Sequence, residues 1–208
     1  MMIPVNVLAV RYLANASASL LKGLGVPKDM PSLGMLTTDC DDATYIALDA
    51  ATKAADVKVC YGRSFYAGAA NASTPNAGEV IGIIAGATPG AVRSGMEAAL
   101  SALERVGFDE IGGVPYLAVT VSSVGSFLAA EAKVPEGSAV AYLIAPPLES
   151  MYALDAALKS ADVKLCKLYA PPTETNFGGG LLSGTQSACD SARDAFARAV
   201  AEVARQPK

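Results

Sequence analysis

The segment ALDAATKAADVKVC, residues 47–60, occurs a second time as ALDAALKSADVKLC, residues 153–166. At an offset of 106 (153 minus 47) the two segments are identical at eleven of fourteen positions. The pattern of each copy is typical of a helix followed by a short apolar strand. In the first copy the helix is predicted over residues 42–55. The chain is therefore predicted to contain the same helix–strand segment twice.

The similarity extends over most of each half of the chain. Upstream, LAV at residues 8–10 matches LAV at residues 117–119. Downstream, GIIAGATPGAV from Gly82 aligns with GLLSGTQSACD from Gly180. We therefore predict two copies of one domain, residues 1–110 and 111–208, each of a size common for protein domains.

Strand-like and helix-like stretches alternate within each copy. In the first copy the predicted strands are residues 5–10, 33–36, 57–60 and 79–85, and two of their counterparts are residues 116–121 and 139–144. The predicted helices are residues 16–24, residues 42–55 and a third that begins after Thr88 and stops at Gly107, and residues 124–132 repeat the first. Short strands mixed with three helices predict an α+β fold in which helices pack on a sheet.

The composition indicates a globular protein that buries much apolar surface. Apolar residues make up 52% of the chain and charged residues 17%, against about 45–50% and about 25% in typical domains. We expect part of the apolar excess to lie between subunits. The net charge of −4 argues against a nucleic-acid partner. No apolar run is long enough to cross a membrane, and the N-terminus does not resemble a secretory signal, so we expect a cytosolic protein.

The residues of common catalytic and metal sites are scarce. The chain has no histidine and four cysteines without C-x-x-C spacing, so we expect no metal site and interpret the cysteines as small buried side chains. No phosphate-binding P-loop is present, and the glycines from 178 to 184 do not match a dinucleotide fingerprint. We therefore expect no catalytic residues and no cofactor. An acid–base enzyme that uses Asp41 with Glu79 is one alternative.

An acidic pair, Asp41 and Asp42, begins the repeated helix of the first copy. One interpretation is structural: an N-cap and favourable charge at the positive end of the helix dipole. In the second copy Pro147 and Leu148 hold the corresponding places. The fold therefore does not require the acids, and the pair is a candidate functional site.

Two glycine-containing stretches, residues 66–76 and 175–180, follow the repeated strand in each copy. Glycine allows large changes of backbone conformation at low steric cost. We therefore expect mobile loops at both places; plain surface turns are the simpler interpretation.

Four segments together resemble a known family. They are SLGMLTTDCDDATYIALDAATKAADVKVCYGRSFYAGAA from Ser32, PNAGEV from Pro75, AYLIAPPLESMYALDAALKSADVKLC from Ala141 and PPTETNF from Pro171. The sequence resembles the tandem-domain shell proteins of bacterial microcompartments, of the EutL, or ethanolamine-utilisation, type. The resemblance implies a duplicated, circularly permuted ferredoxin-like domain with antiparallel sheets flanked by helices. It also implies a homotrimer that forms a pseudohexameric tile and joins other shell proteins around a compartment of the ethanolamine or choline type.

The resemblance further implies a small-amine site and a gated central pore. The amine site, for an ethanolamine-like or choline-like amino alcohol, falls on Asp41 with its neighbour Asp42, and on Glu79, Phe108 and Thr175. Phe108 can also be interpreted as a core residue that follows Gly107. The pore loops and their constriction fall on Tyr66, Asn176, Phe177, Gly178, Gly179 and Gly180.

Two functions of different classes follow. The first is a structural and transport role as a shell tile that passes small metabolites. The second is a free-standing sensor in which the amine site regulates an unknown partner.

Overall fold

The computed structural model describes residues 2–65, 78–171 and 173–208, and forms two compact units. The elements, in chain order, are β1 Val7–Leu13, α1 Ala18–Gly23, β2 Ser32–Thr38, α2 Asp41–Ala54, β3 Val57–Ser64, β4 Val80–Gly86, α3 Pro89–Leu103, β5 Asp109–Ile111, β6 Val114–Val121, α4 Ser126–Ala132, β7 Ala139–Ala145, α5 Pro147–Ser160, β8 Val163–Tyr169, β9 Gly178–Gly184 and α6 Gln186–Arg205. Among the described residues, none of these helices is long and apolar enough to cross a membrane.

The N-terminal unit consists of Val5–Val106 and Gly125–Phe127. Its sheet is antiparallel, in the order β1-β2-β4-β3. Alternate residues of the strands face opposite sides of the sheet. Leu36 and Ile84 therefore pack with α2 and α3, while Leu33 and Ile83 pack with α1 on the other side.

The C-terminal unit consists of Met1–Pro4, Gly107–Val124 and Leu128–Lys208. Its sheet has the order β5-β6-β7-β9-β8, so β6-β7-β9-β8 repeats the order of the N-terminal unit. Leu143, Leu182 and Phe196 are central in a core that α5 and α6 cover. Two antiparallel sheets flanked by helices confirm the predicted α+β fold. The division into domains 1–110 and 111–208 stays a prediction.

The two units share a local irregularity as well as a strand order. The β3–β4 register shifts between Val59 and Tyr61, and the β8–β9 register shifts between Leu165 and Lys167. Cys60 and Cys166 are thus the extra residues of two equivalent β-bulges, inside their strands. The predicted end of the first of these strands at residue 60 was wrong, because β3 continues to Ser64. All four cysteines are free, and burial raises the pKa of Cys60 to about 11.

The last helix of the first copy is shorter than predicted. The helix α3 ends at Leu103, four residues before the predicted stop at Gly107. Gly107 is required for a close approach, because an added Cβ would lie 2.4 Å from the carbonyl oxygen of Ile3. Gly112 and Gly113, both at positive φ, then form a two-residue hairpin turn between β5 and β6.

Candidate functional site

The acidic pair lies in the first turn of α2, in the N-terminal unit. Cys40 is the N-cap residue, so the interpretation of the acids as the cap was wrong. Asp41 and Asp42 are both buried, and the backbone N–H of Asp42 donates to Asp41 Oδ1 at 2.9 Å. Two carboxylates at the positive end of a helix dipole are placed where their charge is stabilised.

Hydroxyl groups hold the turn that precedes this pair. Thr38 Oγ1 donates to the carbonyl oxygen of Cys40 at 2.9 Å, and Thr44 Oγ1 donates to the same oxygen at 2.8 Å. The two hydroxyls lie 2.7 Å apart. Both threonines are fully buried, so this network fixes the path from β2 into α2. No motif in the sequence predicts it.

Glu79 lies immediately before β4. Its backbone N–H donates to the carbonyl oxygen of Thr38 at 2.8 Å, and its own carbonyl oxygen accepts from the N–H of Phe65 at 3.0 Å. Burial raises the pKa of Glu79, and the charges of Asp41 and Asp39 raise it further. The structure therefore brings Glu79 and Asp41 within electrostatic reach of each other. Such a cluster of negative charge favours a cation.

The equivalent position in the C-terminal unit, the start of α5, carries no acidic pair. The helix α5 begins at Pro147, and Leu148 occupies the place of Asp42 with 67% of its surface exposed. The same helix thus forms without acids at its first two positions. The pair is a specific feature of the first copy, as the sequence predicted.

The aromatic candidates lie in the C-terminal unit. The rings of Phe108 and Phe177 pack edge to face, with centroids 5.5 Å apart and an interplanar angle of 80°. The carbonyl oxygen of Phe108 accepts from the N–H of Ile3 at 2.6 Å, which fixes the backbone before β5. The contact between the two rings was not predicted.

Thr175 and Asn176 lie in a short turn that leads to Phe177. The N–H of Asn176 donates to the carbonyl oxygen of Thr173 at 3.2 Å, and Thr173 Oγ1 donates to the carbonyl oxygen of Phe177 at 2.7 Å. Asn176 has a φ of 62°, a left-handed conformation that asparagine tolerates better than most residues. We name residues 173–177 the Thr173 turn.

The expectation of a flexible loop through Gly180 was wrong. Gly178, Gly179 and Gly180 are the first residues of β9 and pair with β7 in the middle of the sheet. All three are buried. An added Cβ on Gly179 would lie 1.9 Å from the carbonyl oxygen of Leu143, so this glycine permits close packing of the backbones.

The candidate residues that the structure describes lie in two different units. Tyr66 and the rest of the predicted loop 66–76 lie outside the described residues. Asp41, Asp42 and Glu79 belong to the N-terminal unit, and Phe108 and Thr175 belong to the C-terminal unit.

Over residues 2–65, 78–171 and 173–208, no group of three His, Cys, Asp or Glu side chains could hold a metal ion.

Comparison with known proteins identifies close relatives. Residues 32–112 match the family model of the BMC domain. The bacterial microcompartment shell protein EutL of Clostridium perfringens is 57% identical over 206 residues, which cover 97% of this chain and 95% of the relative.

Solved structures extend this likeness to the fold. The crystal structure of the ethanolamine utilization protein EutL from Leptotrichia buccalis has a TM-score of 0.95 and 55% identity, covering 100% of this chain and 97% of that one. The trimeric bacterial microcompartment shell protein PduB has a TM-score of 0.79 at 20% identity over 95% of this chain and 88% of that one, which shows a shared fold alone.

Proposed function

Because the chain belongs to the EutL family of bacterial microcompartment shell proteins, we propose that it forms a trimeric, pseudohexameric tile with a gated central pore. Three chains would supply six similar units, since both units have the strand order of one duplicated domain. The pathway that we propose is ethanolamine utilisation, by analogy with the names of the relatives. The chain acts as a structural and transport protein with no catalytic residue of its own, and other shell proteins are its neighbours.

The tile carries a small-amine site at Asp41 and Glu79 of the N-terminal unit, with Asp42 as a further contributor. Phe108 and Thr175 are candidate amine contacts in the C-terminal unit. The observation that supports this proposal most is the asymmetry of the duplication. Buried carboxylates begin α2, whereas Pro147 begins the equivalent helix α5. A primary ammonium group suits carboxylate acceptors, and an aromatic ring adds cation–π attraction of about 0.5–2 kcal/mol.

Occupancy of the amine site favours the closed pore. Thr175 belongs to the Thr173 turn, and Phe177 at the end of that turn is our candidate for the constriction, together with Tyr66. A ligand shifts an equilibrium between two states only by its difference in affinity for them. An amine that binds at Thr175 and Phe108, both in the C-terminal unit, stabilises one arrangement of the turn, so the closed state gains the binding energy.

Electron microscopy of the concentrated protein tests the tile against the sensor. A shell tile packs edge to edge into flat hexagonal sheets. The sensor, the second candidate, binds ethanolamine in calorimetry but stays dispersed at every concentration. Dispersed particles that bind the amine would support the sensor and contradict the tile.

A further inference from the structure

One face of α2 is covered inside the N-terminal unit by a segment from the second sequence copy. The N–H of Gly125 donates to Asp49 Oδ2 at 2.8 Å, and the N–H of Ser126 donates to Thr52 Oγ1 at 3.2 Å. Phe127 packs its ring against Tyr45, with centroids 5.9 Å apart. These contacts leave the carboxylate of Asp49 fully buried.

The ring of Phe127 also occupies the space above Gly62 in β3. A Cβ added to Gly62 would lie 3.6 Å from Phe127 Cζ and 3.4 Å from Tyr45 Cε1. The large ring of Phe127 thus packs where Gly62 has no side chain.

The first sequence copy contains the equivalent covering segment at the start of α1. The N–H of Ala16 donates to the carbonyl oxygen of Pro31 and that of Val124 to the carbonyl oxygen of Ser138, each at 2.9 Å. At an offset of 108 (124 minus 16), the segments align as Ser17 with Gly125, Ser19 with Phe127 and Leu20 with Leu128. Leu20 is 41% exposed although Leu128 is buried, so this segment is not covered in the isolated chain.

The face of α5 equivalent to the covered face of α2 is also exposed. The name α5 face is used for Leu148, Met151, Tyr152 and Asp155 of α5 together with Leu168 of β8. Its members correspond to Asp42, Tyr45, Ile46, Asp49 and Gly62 at the offset of 106. Asp155 has 61% of its side chain exposed whereas Asp49 has none, and Leu168 is 49% exposed.

We propose that the start of α1 in one copy of the chain, Ser17–Leu20, docks on the α5 face of a second copy. The arrangement repeats between chains the contact that Gly125–Phe127 makes with α2 within one chain. The inference rests on the proposed tile, because it names the contact that would join its subunits.

The side-chain sizes are complementary in the proposed contact. Within the N-terminal unit, the large Phe127 faces Gly62. In the contact between copies, the small Ser19 faces Leu168. The large side chain therefore lies on the strand instead of on the docking segment, and it fills the same space. Asp155 is retained at the place of Asp49, where it accepts from the N–H of Ser17 of the second copy.

The contact between copies differs from the internal one at one point. Gly125 has no space for a side chain, since an added Cβ would lie 2.3 Å from Thr52 Oγ1. Ser17 has a side chain, and Leu158 replaces Thr52. The N-terminus of α1 therefore lies slightly farther from α5, and the second of the two hydrogen bonds has no counterpart.

The two surfaces are different parts of the chain, so the contact is heterologous. Each copy offers the start of α1 to one neighbour and the α5 face to another. A heterologous contact produces a closed ring when its rotation closes, which agrees with the proposed trimer.

A charge exchange tests the contact in the full-length chain. We expect Ser19→Glu alone and Leu168→Lys alone each to raise the dissociation constant of the oligomer at least about tenfold, because each places an uncompensated charge in the interface. The double variant restores it to within about threefold of the wild type, since the new charges pair. Sedimentation velocity over a concentration series measures all four proteins.

The control is Tyr61→Lys, an exposed position of β3 whose counterpart in β8 is Lys167. It leaves the dissociation constant unchanged if the contact is as proposed. Should a charged variant fail to fold, mixing Ser19→Cys with Leu168→Cys chains under oxidising conditions gives a disulfide between those two positions, identified by peptide mapping.

The outcomes separate this contact from the tile itself. A wild-type trimer that both charged variants leave intact, with no disulfide between the two introduced cysteines, overturns the contact but not the tile. A monomeric wild type overturns the tile, and the proposed contact with it.

Discussion

The ring of Phe177 meets the ring of Phe108 edge to face, with centroids 5.5 Å apart. Phe177 ends the Thr173 turn, and Phe108 precedes the edge strand β5. The turn that we propose as part of the pore gate is therefore held by an aromatic contact and by the hydrogen bond from Thr173 to Phe177. A movement of Phe177 away from Phe108 breaks the ring contact, whereas the hydrogen bond from Thr173 lies within the turn and can move with it.

Replacement of Phe177 by alanine removes the aromatic contact. Pairs of this kind contribute about 0.5–1.5 kcal/mol beyond their burial, so we expect the unfolding free energy to fall by about 1–2 kcal/mol. Hydrogen exchange at the amides of the Thr173 turn accelerates. Phe177→Leu, which keeps apolar bulk, shows a smaller effect on both. Exchange rates that are equal in Phe177→Ala and the wild type would contradict an anchoring role for this ring.

Asp41→Asn weakens ethanolamine binding. The change replaces a charge-assisted hydrogen bond by a neutral one, and we expect about a tenfold loss of affinity in calorimetry. Glu149→Gln is the matched control, because Glu149 is the acid in the first turn of the equivalent helix α5. Equal losses in both variants would indicate a general effect of charge rather than a site at Asp41.

The titration of Glu79 gives a pH dependence with a definite sign. Burial and the charges of Asp41 and Asp39 raise its pKa above the ordinary value of 4.5. The folded protein then binds the proton more tightly than the unfolded chain does. This group therefore makes the unfolding free energy fall as pH rises from about 4.5 through the raised pKa.

Glu79→Gln removes that contribution, and urea titrations at several pH values between about 4 and 8 detect the change of slope. Glu97→Gln, at an exposed position of α3, controls for the loss of one carboxylate. Amine affinity in the wild type increases over the same range, since the ionised form of Glu79 binds a cation. A slope that is identical in wild type and Glu79→Gln would show that Glu79 does not titrate in this way.

Gly179→Ala tests the placement of the glycines inside β9. Gly179 has a φ of 146°, and an added Cβ would lie 1.9 Å from the carbonyl oxygen of Leu143. We expect the unfolding free energy to fall by about 3 kcal/mol or more, measured by urea titration. The control, Gly23→Ala, has no atom within 4 Å of the new Cβ and changes stability little. A stability of Gly179→Ala near that of the wild type would contradict the strand placement.

The repeated segment predicted much of the fold because its signals are local. The pattern of the segment placed the start of α2 within one residue of its observed position at Asp41. The prediction of a loop at Gly178–Gly180 was wrong, because glycine is found both in flexible loops and where two backbones pack closely. Only the pairing with β7, set by residues far away in sequence, distinguishes the two.

The difference between the two copies at the start of the repeated helix was predictable for another reason. The two copies can be compared within one sequence. Because Pro147 begins the equivalent helix α5, the comparison shows that the helix forms without Asp41 and Asp42. No such internal comparison exists for the Phe108–Phe177 contact or for the buried Thr38–Thr44 hydroxyl pair. Both depend on side chains that meet only after the strands have paired.

We propose that two similar units in one chain form a tile of three chains. Sedimentation equilibrium of the purified wild-type protein is the decisive experiment, because it measures mass without a standard of known shape. We expect a species of three times the chain mass of 21.1 kDa that persists on dilution. A mass equal to one chain at every concentration would contradict it.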